Sequence, residues 1–433
     1  MHSVLIRPDQ GFGYNWSTDT LFWRDLLKRP TRTLKCNSEH GNQSPPFYFQ
    51  LHTLFDRNDP ILNVYPYMRV RISSPVEIQN LLPYDFKYRI YDRNTRKDWT
   101  NFLRKGGVSP VHVVELSHLL LLSIDMQDTV FRQCEFAIIN SNAQEDFRRE
   151  STISIQDDKG VELKLGLHYF TIPDSGGAFK VSVFSQYLVL NKTGLDISLQ
   201  SKSMFQAARS AAGRAVKTDA TSGVRKAIPY MYSYPTNDRK NRSIIRVEGS
   251  NWSKPQSFEA IGSTFEVVMP SSSGRAEYHA GVSIEEGAGK YKMTKVVTVA
   301  PRFILKNKLN EDLVVREPGS SAVMDLRSGD LVPLHFLRQA PEKQLCLCFP
   351  GVNNQWSSPF NIADIGTIYV KLAKANQRQR LLRIQVLMEA ATIFLHISME
   401  TSHWPFSMRN ESDSEFMFYQ AVSPFLLRRG RFD

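Results

Sequence analysis

Cysteine is the first thing this sequence has little of. Cys36, Cys134, Cys346 and Cys348 are the four in 433 residues, too few for a disulfide framework at this length. Cys346 and Cys348 lie two apart in the apolar run LCLCF, where a strand puts both on one face. No Cys or His pair stands nearby at zinc spacing, so buried thiols are expected and no metal. Long apolar runs are also missing. The longest, Val113 to Ile124, is broken by Glu115 and His118 and falls far short of the roughly 20 residues a spanning helix needs. The opening MHSVLIRPDQGF carries Arg7 and Asp9 where a secretory leader is apolar. A soluble chain facing the cytosol is expected, and the six N-x-[ST] triplets, which begin at Asn15, Asn42, Asn191, Asn241, Asn251 and Asn410, are read as incidental.

Catalytic signatures are equally scarce. GAGKY at Gly287–Tyr291 has Tyr291 in place of a magnesium-binding hydroxyl, and Ile284 where a phosphate loop needs glycine. A hairpin turn is the better reading. There is no G-x-S-x-G elbow and no H-E-x-x-H, and the ten histidines are scattered. No carboxylate pair offers acid and base roles. The expectation is a non-catalytic protein without a cofactor.

What is present is a globular, aromatic, basic composition. Hydrophobic residues at 42% and charged residues at 22% exclude wholesale disorder. Aromatics at 11% lean toward strands. A net charge of +11 favours acidic partners, anionic headgroups or nucleic acid. The charge is spread rather than striped, apart from Arg378, Arg380 and Arg383 and the tail Arg428, Arg429 and Arg431. Solvated faces are the simpler reading, and no nucleic acid is expected.

Internal repetition organises the chain. NWSKPQSFEAIG at 251–262 aligns without gaps on QWSSPFNIADIG at 355–366, matching Trp252 with Trp356 and Gly262 with Gly366, 104 residues apart. A second signature is an apolar strand that ends in Asn: PVEIQN at Asn80, YLVLN at Asn191, RFILKN at Asn307 and PFSMRN at Asn410. Trp252 precedes Asn307 by 55 residues and Trp356 precedes Asn410 by 54. The same spacing before Asn191 lands on Phe136, and NWS at Asn15–Ser17 supplies Trp16 upstream of Asn80. A unit of 105–115 residues therefore recurs, long enough to be a small domain in itself. Short β-branched and aromatic runs bounded by Gly, Pro, Asn and Ser make the units β. The exception is SMFQAARSAAGRAVKTD at 203–219, whose apolar residues fall at helical spacing. It reads as an insertion, and as a mobile surface loop rather than a membrane-binding helix.

The recurring Asn is the candidate functional residue. An amide at a strand end accepts from one backbone N–H and donates to a C=O, which locks the turn into the next strand. The same amide is also suited to reach an extended peptide added to a sheet edge. The two uses are compatible across different units.

The motifs SNWSKPQSFEAIGS, VVTVAPRFILKNKL, LCLCFPGVNNQWSSPFNIADIG and WPFSMRNESDSEFMFYQA closely resemble the adaptor-binding domain of the vacuolar protein sorting-associated thirteen family in its fungal form. The resemblance spans nearly the whole chain and is weakest over 1–70, 203–226 and the tail after Ala421. It implies a domain within a long bridge-like lipid transfer protein, built from tandem β-rich repeats that each carry an Asn. Such a domain recruits the protein to organelles by binding Pro-x-Pro motifs in adaptor proteins. Asn80, Asn191, Asn307 and Asn410 fall on the repeat Asn. The family domain has six repeats, with adaptor binding associated with the last ones, whereas this chain begins inside the first and stops early in the fifth.

The expected fold is all-β, with tandem repeats of small antiparallel β-sandwich modules of about 105–115 residues in a curved array. The expected boundaries are a truncated first repeat at 1–70, modules at 71–183, 184–299 (with the insertion at 203–226) and 300–403, and a truncated repeat at 404–433. The expected function is Pro-x-Pro recognition by a monomer. Membrane association would be indirect, on the cytosolic face of endosome, vacuole or mitochondrion at contact sites. The alternatives are direct membrane-surface binding and a purely structural spacer. Trp16, Phe136, Trp252, Trp356, Gly262 and Gly366 are the expected landmarks of the repeat core.

Overall fold

The computed structural model describes residues 3–41, 44–55, 67–132, 134–140, 148–157, 160–202, 214–216, 218–219, 226–235, 238, 240–377, 379–401, 408–422 and 426–431, with 214–226 and 417–431 described by backbone alone. The chain divides into two compact units, Met1–Arg302 and Phe303–Asp433. Among the described residues nearly all the regular structure is strand, and Trp23–Lys28 forms a short helix.

One strand plan occurs three times. In the 76–185 segment a five-stranded sheet runs in the order Val108–Val111, Val76–Asn80, Phe179–Ser185, Glu162–Thr171, Thr152–Gln156. Facing it is a sheet ordered Ala137–Asn140, Leu120–Met126, Phe86–Asp92, Lys97–Leu103. The 187–301 segment repeats the first sheet as Tyr230–Tyr232, Tyr187–Asn191, Lys295–Pro301, Ala276–Glu286, Thr264–Pro270. The 303–399 segment does so as Leu331–Leu334, Phe303–Asn307, Thr392–Met399, Arg380–Glu389, Gly366–Leu372.

Alternation drives the sandwich. Val76, Ile78 and Asn80 point inward while Glu77 and Gln79 are partly exposed, and Tyr187–Asn191 and Phe303–Asn307 show the same pattern. The inward residues of the two facing sheets form one apolar core per segment, as period-two patterning requires.

Among the described residues each module pairs one set of strands in parallel, and the other strand pairs named above are antiparallel. The first strand lies parallel to the last: Asn80 is level with Val183, Asn191 with Val299 and Asn307 with Ile397. The antiparallel expectation omitted this pair because its members are about 100 residues apart, beyond any local pattern.

GAGKY is a tight turn, with a 3-10 segment at Gly289–Tyr291 between the antiparallel neighbours Ala276–Glu286 and Lys295–Pro301. The helical reading of 203–219 does not hold for its last part. Arg214–Val216 is a strand on Ile197–Ser201, where pairing to a sheet edge overrides helical spacing. Residues 203–213 lie outside the described residues.

The Trp-Ser landmark closes the second sheet. Ser253 Oγ accepts from Ile245 N–H (3.0 Å) while Ser253 N–H donates to Ile245 O (2.8 Å). Ser357 clasps Leu347 in the same way, at 3.0 and 2.8 Å, and Ser17 clasps Ile6 at 3.3 and 3.0 Å. In the 76–185 module the clasp is made by Cys134 on Ile124: Sγ accepts at 2.8 Å and N–H donates at 3.2 Å. One residue thereby replaces a strand neighbour, satisfying a buried N–H and C=O together.

Ser357→Ala removes the acceptor of a buried N–H and is expected to cost about 1–3 kcal/mol in urea unfolding. Cys134→Ser keeps an acceptor and is expected to stay within about 1 kcal/mol of the parent. A larger loss for Cys134→Ser than for Ser357→Ala contradicts the clasp reading.

Candidate functional site

The repeat Asn sits where the module's two sheets converge. Asn80, Asn191 and Asn307 each end the first strand, side chain inward, at 0% exposure. Asn80 Nδ2 donates to Tyr84 O (2.9 Å) in its own turn and to Leu103 O (3.2 Å) in the facing sheet, while Oδ1 accepts from Leu82 N–H (2.9 Å). Asn307 Nδ2 donates to Glu311 O (2.9 Å), Leu326 O (3.1 Å) and Arg327 O (3.1 Å), while Oδ1 accepts from Leu309 N–H (2.9 Å). Asn191 Nδ2 reaches Leu195 O (2.7 Å), and Oδ1 accepts from both the N–H and the hydroxyl of Thr193 (3.0 and 2.7 Å).

The backbone is tied as well. Asn80 N–H donates to Gly107 O and Gly106 N–H to Asn80 O, at 2.9 and 2.8 Å. Asn307 N–H donates to Asp330 O and Gly329 N–H to Asn307 O, both at 3.0 Å. Gly106 and Gly329 hold φ near +73° and +78°, a conformation that favours glycine. These loops belong to a second repeat pair, LRKGGVSPV at 103–111 and LRSGDLVPL at 326–334. Reading for Trp and Asn alone passes over it, although the shared Leu-Arg, Gly and Pro positions carry the signal.

At Asn80, Asn191 and Asn307 the structure shows the amide in its turn-locking use. Their amides are inward and engaged, and displacing them would leave buried carbonyls without partners. Asn410 differs. It is exposed, and makes the turn bonds to Ser414 O (2.9 Å) and from Ser412 N–H (3.0 Å).

The aromatic landmarks lie beside cations. Arg7 covers Trp16 at 4.6 Å, Arg246 covers Trp252 at 4.6 Å and Arg316 covers Trp356 at 3.9 Å. These rings are half-buried or exposed, so they pin the clasp loop from outside rather than filling the core. Phe136 is displaced from the series. The clasp residue Cys134 puts Gln133, outside the described residues, in register with the tryptophans. Phe136 instead meets Tyr91 (6.0 Å) and Arg89 (5.4 Å) on the outside of its sheet. Gly262 and Gly366 precede or begin the outer strands, at φ +81° and +151° with open space around them. Backbone conformation, not crowding, favours glycine there.

Two clefts lie beside these features. A cavity of about 460 Å³ in the first unit is lined by Pro45, Pro46, Tyr48, Trp99, Lys35 and Asp98, among others. One of about 320 Å³ lies beside the Asn307 turn, between Asn310, Glu311, Asp312, Phe349, Pro350 and Lys374. Glu311 pairs with Lys374 (2.8 Å) and Arg380 (2.7 Å), whose hydrogen bonds hold its carboxyl below the usual range. The outer strand Gly366–Leu372 edges its sheet, with Tyr369 and the preceding Ile365 exposed.

Asn307→Ala orphans buried carbonyls and is expected to cost on the order of 3 kcal/mol, whereas Asn410→Ala should cost under about 1 kcal/mol. Chemical denaturation of both variants tests the contrast, and equal losses would contradict it. Because its carboxyl is held low, Glu311 contributes stability above the usual carboxylate range, and that contribution is lost as pH falls. Glu311→Gln should therefore be less stable than the parent by under about 1 kcal/mol at neutral pH, with the gap closing in acid. A gap that widens in acid would contradict the pairing.

The chain matches the family model described as the vacuolar-sorting associated protein 13 adaptor binding domain over residues 1–431. It is 55% identical over 423 residues to an intermembrane lipid transfer protein VPS13 of Chaetomium thermophilum, covering 98% of this chain and 13% of that protein. It is 22% identical over 480 residues to vps13E of Dictyostelium discoideum, covering 97% of this chain and 11% of that protein. With human VPS13D it shares 23% identity over 374 residues, covering 81% and 8%. The chain thus spans a small fraction of the length of the relatives it matches. With its three-fold strand plan and its buried turn asparagines, the chain belongs to the VPS13 adaptor-binding domain family.

Proposed function

We propose that the chain recruits a lipid transfer protein to membranes by binding adaptor proteins through Pro-x-Pro peptides laid along a sheet edge. The observation that carries the reading is the family match over residues 1–431. The module boundaries at 71, 184, 300 and 404 and the role of each module belong to the same proposal. Attachment at contact sites, on the cytosolic face of an organelle, is indirect and runs through the adaptor. Among the described residues no helix is long and apolar enough to cross a membrane.

Edge addition suits this ligand physically. In an extended peptide the two prolines of Pro-x-Pro face one lateral side, and the residue between them presents its N–H and C=O to the other. That residue bonds to the sheet edge, and the prolines leave the new outer edge without donors. The segment is already extended, so little conformational entropy is lost. Gly366–Leu372 offers seven residues at a sheet edge, with Tyr369 at 40% and Ile365 at 57% exposure for the proline rings. The repeat asparagines act through the fold, by holding the strands that carry this edge.

Titration of a fluorescent Pro-x-Pro peptide should give micromolar binding. An Ala-x-Ala control and the Tyr369→Asp variant should each bind at least about tenfold more weakly, a difference of about 1.4 kcal/mol. Equal binding by Tyr369→Asp would remove this edge as the site, and equal binding of Ala-x-Ala would remove the proline reading.

A further inference from the structure

The outward face beside the Gly366–Leu372 edge differs from its counterparts in the other two complete modules. Register makes the comparison direct. Thr152 stands level with Gly166 and Phe184, Glu266 with Gly281 and Ala300, and Tyr369 with Arg383 and Ser398. Phe184, Ala300 and Ser398 each follow the residue level with a repeat Asn, so the three rows are equivalent. Two modules hold glycine in the middle of the row, and the third holds Arg383. At Gly166 the reason is space, because a Cβ there would lie 2.2 Å from the Phe184 ring. Beside Arg383 the small Ser398 takes the place of that ring. Arg383 lies between buried Leu382 and Ile384 and so faces away from the core, and its Nε has no hydrogen-bond partner. Lys371 is exposed on the same face as Thr367 and Tyr369. Among the described residues neither Lys371 nor Arg383 forms an ion pair. The carboxylate on their side of the sheet, Glu389, ends its strand six residues from Arg383, about 20 Å away.

We propose that the Gly366–Leu372 edge selects acidic ligands: the extended peptide it takes carries Asp or Glu two residues from a proline of the Pro-x-Pro pair. This rests on the reading of that edge as the peptide site, and it names the chemistry of the partner's segment. Side chains two apart in an extended strand share a face, so the acidic residue stands on the same side as the prolines. With a proline against Tyr369, it stands level with Lys371 as a direct cross-strand pair of opposite charge. Arg383 backs this contact from one strand further in, two strand spacings or about 10 Å from the ligand backbone. Charges still act over that distance in about 0.1 M salt. The equivalent edge positions elsewhere are Thr152 and Ser154 in one module and Glu266 and Val268 in the other. Neither pair carries a cation, and Glu266 brings a carboxylate. The charge difference therefore sorts acidic segments to one edge among three that share a strand plan.

The test titrates fluorescein-labelled peptides into the whole chain: AEAPAPAEA, and versions with Gln or with Lys in place of both Glu. Glu on both flanks serves either direction of the added strand. In about 0.05 M salt the Glu peptide should bind about threefold tighter than the Gln peptide and about tenfold tighter than the Lys peptide. The preference should fade in about 0.5 M salt. Lys371→Gln changes an exposed side chain, so the fold should persist, and the Glu-over-Lys ratio should fall to about threefold. With Arg383→Gln added, the three peptides should bind alike. Equal binding of the three peptides to the parent overturns the proposal and leaves Pro-x-Pro recognition standing. No binding of any of them up to about 1 mM overturns both. A charge preference that survives in the double variant overturns it as well, because the cations responsible then lie elsewhere.

Discussion

Everything in a module depends on one buried amide. Where the first strand ends, its Asn side chain must leave the sheet and close a turn while buried, and at Asn80 and Asn307 it also holds the edge of the facing sheet. The amide has two donors and two acceptor sites. At Asn307 the two N–H bonds are shared among Glu311 O, Leu326 O and Arg327 O, and the oxygen accepts from Leu309 N–H. No apolar residue satisfies those carbonyls, and no charged residue is stable at 0% exposure without a partner. A serine is too short to reach both the turn and the facing strand. The residue type therefore follows from the geometry.

Closing the module by a parallel pair has a consequence for its edges. The first and last strands meet in the middle of the sheet, so the edges are formed by strands from mid-module. One edge, Val108–Val111 or Leu331–Leu334, carries a proline and is blunted. The other, such as Gly366–Leu372, keeps its backbone available.

Much of this was legible in the sequence, for physical reasons that differ by element. The strand ending in Asn is visible because burial forces alternation and the amide is irreplaceable. The Trp-Ser landmark is visible because a hydroxyl must sit where it can clasp a strand. Cys134 hid the same clasp, since a thiol accepts the N–H of Ile124 without resembling a serine, and spacing alone then pointed to Phe136. The parallel pairing was not legible, because it joins residues about 100 positions apart through main-chain atoms that leave no side-chain signature. The inward commitment of Asn80, Asn191 and Asn307 was legible only as one of two uses, for an amide in a sequence does not disclose which way it faces. The helical spacing of 203–219 misled at Arg214–Val216 because a sheet edge was there to be paired.

The most direct test of the central claim follows the side-chain amide protons themselves. Nuclear magnetic resonance should find the Nδ2 protons of Asn80, Asn191 and Asn307 exchanging slowly with solvent, and unshifted when a Pro-x-Pro peptide saturates the chain. Asn410 should exchange fast. Rapid exchange at Asn307, or a shift of its Nδ2 resonances on peptide binding, would mean that the repeat amide faces the ligand and not the fold.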